Sequence, residues 1–264
     1  MEYIAIPAAA FFASTMSFYS GFGLGTLLMP VLAVFFPLPV AIAATAVVHG
    51  SNNLFKIIMV GIKADKELVL KFGLPAIAAA FAGAWILHLF TAVSGGLAFD
   101  YTVLGRVASI TPLKVLLALL MLGFAAVDLH PYLKDMKFDR RWLPLGGLLS
   151  GFFGGLSGHQ GALRSAFLVK TDVTPEAFVA TNAVIGFMVD FSRLAVYAYA
   201  LFALGDARGF DGLPAGVIAA ATAASVAGVL VGMKFLHKVT ISSVQALTAA
   251  MLGAIAVFLG IGMI

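Results

Sequence analysis

Ten apolar runs divide this chain, at roughly residues 3 to 19, 26 to 36, 39 to 60, 70 to 92, 112 to 128, 143 to 157, 161 to 170, 175 to 203, 213 to 233 and 241 to 262. Most approach the ~20 residues that a helix needs to cross a bilayer, so the pattern predicts an all-α polytopic membrane protein. Composition agrees: 62% of residues are hydrophobic and 11% charged, where a soluble domain carries about a quarter charged. Mean hydropathy is +1.06. Glu2 stands where a leader peptide carries basic residues, and the apolar chain continues past it, which argues against a cleaved signal. The absence of cysteine excludes disulfides, zinc–thiolate sites and thiol catalysis. Nothing in the pattern requires a cofactor or a metal, and nothing suggests nucleic acid.

Two runs, 26 to 36 and 161 to 170, are too short to span, and each follows a glycine-rich break, SGFGLG at 20 to 25 and SGFFGGLSGHQG at 150 to 161. Sliding the chain against itself by 136 residues aligns 25 to 55 with 161 to 191 without a gap, whereas upstream the register breaks, because the second glycine element is six residues longer. Gly25 falls on Gly161, Leu27 on Leu163, Leu32 on Leu168, Pro39 on Pro175, Thr45 on Thr181, Gly50 on Gly186 and Phe55 on Phe191. An oily chain matches Leu, Ala and Val by coincidence; agreement at a Pro, a Thr and two Gly marks an internal repeat. The expected organisation is a first membrane repeat at 1–128, a basic linker at 129–142 and a second repeat at 143–264.

Loop charge orients the repeats. GIKADKELVLK at 61 to 71, LHPYLKDMKFDRR at 129 to 141 and MKFLHK at 233 to 238 are basic and predict the cytoplasmic side. The segments 93 to 111, with Arg106 against Asp100, and GDARGFD at 205 to 211 predict the outer side. These assignments fit if each glycine-broken pair is a re-entrant hairpin accompanied by three transmembrane helices, which makes the repeats inverted. A kinked spanning helix, giving parallel repeats, is the alternative. Irregular backbone at membrane depth persists where it is buried in protein or lines a watery cavity.

The polar residues inside these runs are the candidate site, because such groups are costly in hydrocarbon. His49, Asn52, Asn53 and Lys56 share a helical face with Thr45, and Asn182, Gly186, Asp190 and Arg193 share another. Duller roles exist for each: Lys56 snorkelling to the interface, His49 as a core histidine, and Asp190 with Arg193 as a structural ion pair. The second break adds His159, Gln160 and Arg164 where the first has Gly23, Leu24 and Leu28. A helix starting inside the membrane presents unpaired N–H groups and partial positive charge. Two such starts, at Gly25 and Gly161, form an anion site of the kind secondary transporters use, and His159, Gln160 and Arg164 can donate to an oxyanion. The substrate-binding candidates are therefore Gly25, His49, Asn53, Lys56, His159, Gln160, Gly161, Arg164, Asn182 and Arg193. The opposing reading pairs Arg164 with Asp190 and leaves His159 and Gln160 as backbone caps.

The twin glycine elements, each followed by a short helix and a Pro-Ala-Thr block, LPVAIAAT at 38 to 45 and TPEAFVAT at 174 to 181, resemble the two halves of the TauE/SafE sulfite exporter family, also called the four-toluene sulfonate uptake permease family. The resemblance implies a multi-pass inner-membrane permease for sulfur-containing anions such as sulfite or organosulfonates. GHQG with Arg164 beyond it departs from that family's plainer glycine runs.

Other classes compete. GLSG at 155 to 158 fits a rhomboid-type serine protease with Ser157 as nucleophile, but residues two apart do not face each other on a helix, which places His159 badly as its base, and His237 lies in a basic loop. An anion channel fits the same residues as a carrier, and the direction of transport is not encoded. Asp190 and His159 are candidates for proton coupling, because histidine titrates near neutral pH and a buried carboxylate can be shifted towards it.

Overall fold

The computed structural model of the chain describes every residue except 21–23, 95, 104, 131–137, 169–170, 172, 207–213 and 236–240. The first half runs α1 (Glu2–Ser20), α2 (Leu24–Phe35), α3 (Leu38–Val60), the short α4 (Lys66–Leu68), a π-helical turn (Val69–Gly73) leading into α5 (Leu74–Ser94), and α6 (Pro112–Leu129). The second half runs α7 (Leu143–Ser157), α8 (Gly161–Leu168), α9 (Pro175–Ala203), α10 (Ala215–Phe235) and α11 (Ile241–Gly260). Each apolar run has become a helix. Lys66–Ser94, Pro175–Ala203 and Ala215–Lys234 are long and apolar enough to cross a membrane. Half of the basic linker, the end of the acidic loop after Asp206, and His237 with Lys238 lie outside the described residues.

The sequence reading took 93 to 111 as plain loop. It instead contains an antiparallel hairpin, β1 (Phe99–Val103) and β2 (Arg106–Ile110), with Gly105 at φ 75° in the turn. Tyr101, Thr102, Val103 and Val107 are β-formers that a helix-seeking search passes over. The hairpin is tied to the end of α11: Ser109 N–H donates to the Gly262 carbonyl at 3.0 Å, and Tyr101 Oη to that of Ile261 at 2.5 Å.

Burial is inverted relative to a soluble protein. Arg193, Asp190 and Asn52 are fully buried, whereas Phe191 is 62% and Phe202 84% exposed. Polar side chains inside and large apolar ones outside are what a chain solvated by hydrocarbon requires.

Helix contacts rest on small residues. Hypothetical β-carbons at Gly147, Gly151 and Gly155 of α7 would overlap the carbonyl oxygens of Phe72, Ala76 and Ala80. The spacing of four puts these glycines on one stripe, and the constant offset shows that α7 and α5 run in the same direction. On α10, Gly228 and Gly232 approach the carbonyls of Phe11 and Thr15 in the same way, so α1 and α10 are also parallel. By contrast α3 and α9 cross antiparallel, with Gly50 against Asp190 and Gly186 against Asn53. The ends of α6 and α11 are likewise opposed, Gly260 lying against Ala118.

The ends sort into two faces. On one, here the basic face, Lys71 Nζ lies 2.7 Å from Glu67 Oε1, and Arg140 approaches Glu67 at 3.8 Å while donating to the Thr171 carbonyl at 2.5 Å. Thr171 closes α8 and Arg140 precedes α7, so α8 turns back beside the start of α7. Phe167 packs over Gly146, and Ser150 Oγ donates to the Gln160 carbonyl at 3.0 Å. At about 22 Å, α7 is shorter than the ~30 Å hydrocarbon layer. The opposite face carries the hairpin, the α2–α3 junction and the end of α11, and the last two line a recess with Lys114.

Candidate functional site

The end of α7 sets up the site. Gly158 adopts φ 81°, the left-handed conformation that ends a helix and that a side chain would strain. The chain then turns through His159 and Gln160 into α8. Here the two breaks meet: a β-carbon on Gly25 would lie 3.4 Å from the Gly158 carbonyl oxygen and 3.6 Å from the His49 ring.

Asp190 is the hub of the buried network. Its Oδ2 lies 2.5 Å from His49 Nδ1 and accepts from Asn53 Nδ2 at 3.3 Å. Its Oδ1 accepts from Arg193 Nη2 at 2.8 Å, Arg193 Nε at 3.2 Å and Gln160 Nε2 at 3.2 Å. Helices α3 and α9 and the second break therefore converge on one carboxylate. Arg193 Nη1 is buried without a hydrogen-bond partner among the described residues and faces the bare Gly158.

Arg164 does not pair with Asp190. Its Nε donates to Asn182 Oδ1 at 2.7 Å and its Nη1 to Gln160 Oε1 at 3.0 Å. Among the described residues neither Arg164 nor Lys56 has a carboxylate within ion-pair distance; Lys56 Nζ sits 5.9 Å over the Phe18 ring. Both cations line a narrow recess together with His49, Asn53, Asn182 and Ser17. Among the described residues no Asp or Glu lines it. A recess with two uncompensated cations and several hydrogen-bond donors has the electrostatics of an anion site.

The comparison with known families decides the class. The sequence profile described as Sulfite exporter TauE/SafE matches residues 6–259, nearly the whole chain. The chain belongs to the TauE/SafE sulfite exporter family. TauE/SafE proteins are membrane transporters of sulfur-containing anions and not enzymes, and this chain is accordingly a multi-pass membrane transporter. No curated protein and no solved structure matches it.

Against that TauE/SafE background the candidate residues separate. His49, Asn53, Lys56, Arg164 and Asn182 line the recess. Gln160 and Arg193 lie behind them, through Asp190. Gly25 abuts the second break, and Gly161 begins α8. Asn52 turns away from its helical neighbours and donates to Ser14 Oγ at 2.9 Å and the Ser225 carbonyl at 3.1 Å, helping to hold α3 against α1 and α10.

His159 requires a correction. Helical spacing argues that it cannot meet Ser157, yet its Nδ1 lies 3.0 Å from Ser157 Oγ. Gly158 breaks the helix between them, so helical spacing no longer applies. The pair is still poorly disposed for hydrolysis: Ser157 Oγ donates to the Phe153 carbonyl at 3.0 Å and the serine is fully buried. The His159 ring stacks on Phe124, centroids 5.7 Å apart.

Ser17, Phe18 and Val179 also line the recess, and the sequence reading missed them. A serine and two apolar residues within apolar helices carry no signal until packing places them beside charge.

Proposed function

We propose that this protein is a secondary carrier that binds a small sulfur-containing oxyanion, sulfite or an organosulfonate, between the two glycine breaks. The observation that carries the reading is the recess in which Lys56 and Arg164 stand without a carboxylate partner beside the start of α2. Arg164 supplies a planar fork suited to an oxyanion, and Asn182 holds that fork in place. His49 and Asn53 add donors from the opposite wall.

The two halves are inverted repeats, each a re-entrant hairpin followed by three transmembrane helices. Their packing supports this. Exchanging each helix with its counterpart turns the parallel α1–α10 contact into the parallel α7–α5 contact, and maps the antiparallel α3–α9 and α6–α11 contacts onto themselves. An inverted repeat has that signature; parallel repeats would make α3 and α9 run alike. The basic face is cytoplasmic and the hairpin face external. A proton travelling with the anion resides on the His49–Asp190 pair, because His159 is turned to Ser157 and Phe124.

The test is a thermal-shift panel on detergent-solubilised protein with sulfite, thiosulfate, sulfate, sulfoacetate, taurine and simple carboxylates. A ligand of the folded state raises the melting temperature. Stabilisation by sulfite or a sulfonate above the carboxylates is expected; a panel with no shift would sink the reading.

A further inference from the structure

A second narrow recess is lined by Pro39, Ala43, His88, Thr91, Tyr197 and Ala200 among others. It lies towards the hairpin face: Pro39 follows the α2–α3 junction, and His88 Nε2 approaches Asp206 Oδ2 at 3.7 Å just beyond the end of α9. The two recesses follow one another along the same antiparallel pair of helices. On α3 the order is Pro39 and Ala43 in the second recess, then His49, Asn53 and Lys56 in the first. On α9 it is Ala200 and Tyr197 in the second, then the buried Arg193 and Asp190, then Ala183, Asn182 and Val179 in the first. His49 lies six positions beyond Ala43, a barrier of about 9 Å at helical rise. The His49–Asp190–Arg193 cluster fills it, and Arg193 Nη1, one turn from Tyr197, is buried with no hydrogen-bond partner among the described residues.

We infer that the second recess is a distal station of the anion path, offering the His88 and Tyr197 side chains to a small oxyanion beside Thr91, whose hydroxyl donates to the Leu87 carbonyl at 2.9 Å, and that Arg193 contacts the anion as it crosses between the recesses. This rests on the anion reading of the first recess. The Asp206 carboxylate makes the station weaker than the first recess, which suits a site of release or first capture.

The chain has no cysteine, so single reporters can be placed without a background. Ser17→Cys reports the first recess and Thr91→Cys the second; Thr91 is half-buried, and Ala43→Cys provides an independent reporter in the same recess. Oriented proteoliposomes are treated from either side with the impermeant 2-sulfonatoethyl methanethiosulfonate, with or without sulfoacetate. Ser17→Cys should react from the basic face and Thr91→Cys from the hairpin face, each several-fold more slowly with sulfoacetate present. If Ser17→Cys is protected but both second-recess reporters react only from the basic face, or only after denaturation, the distal path is overturned and the first site stands. Reaction of both from the hairpin face without protection overturns the station as an anion site. An unprotected Ser17→Cys overturns the anion reading itself, and the inference falls with it.

Discussion

His49 on α3 and Asp190 on α9 meet at 2.5 Å, Nδ1 to Oδ2, 141 positions apart in sequence and fully enclosed on the carboxylate side. That contact ties the antiparallel α3–α9 crossing to the wall of the recess. Removing the carboxylate should therefore affect both stability and binding. Asp190→Asn leaves Arg193 buried without its counter-ion, and breaking a buried pair in this way costs about 3–5 kcal/mol. A large fall in melting temperature is expected, partly restored in Asp190→Asn/Arg193→Met, where no buried charge is stranded. If Asp190→Asn melts like the parent, Asp190 is not the hub that its contacts describe.

Arg164 faces the recess without a carboxylate partner, so its loss should affect the ligand more than the fold. Charge-assisted hydrogen bonds are each worth about 1.5–3 kcal/mol, so Arg164→Ala should weaken sulfonate binding about tenfold or more in titration calorimetry. Arg164→Lys keeps the charge but loses the fork and should fall between the two. Normal binding by folded Arg164→Ala protein would make Arg164 a structural residue.

Asn182 acts through Arg164, accepting from its Nε at 2.7 Å. Asn182→Ala should weaken binding less than Arg164→Ala, and the two losses should not add, because both act on one guanidinium. A double-mutant cycle on the dissociation constants measures this; full additivity would contradict the positioning role.

The glycine stripe on α7 predicts a fold defect with no ligand dependence. Gly151→Val would drive a side chain into the Ala76 backbone of α5, where there is no flexible end to yield. Overpacking typically costs about 1–3 kcal/mol and more against backbone. Size-exclusion profiles should show aggregation, whereas Gly123→Ala, with open space around its β-carbon on α6, should behave as parent or better.

Ser157→Ala should leave transport in proteoliposomes unchanged, and the parent should not react with a fluorophosphonate probe. Its hydroxyl is committed to the Phe153 carbonyl and His159. Labelling lost on Ser157→Ala would reopen a hydrolytic role.

The sequence by itself determined the helices, because hydrocarbon-length apolar runs have few alternatives when the backbone must satisfy its own hydrogen bonds. It also marked the breaks at SGFGLG and GLSGHQG and the polar residues that a membrane protein retains only at a cost. Tertiary structure decided the partners. Helical periodicity put Asn52 with Asn53, but only the proximity of α1 and α10 turned Asn52 outward to Ser14 and Ser225. Spacing separated Ser157 from His159, and the left-handed Gly158 between them brought them together. Sequence left Asp190 a choice of Arg164 or Arg193; its own helix gave it Arg193 at i+3, the crossing of α3 on α9 added His49, and Arg164 was left facing the recess. The Ser157–His159 contact is local, made by one left-handed glycine, whereas the other two outcomes need packing between helices. Propensity and periodicity act within one helix, and a partner on another helix is set by which helices the small-residue stripes allow to touch.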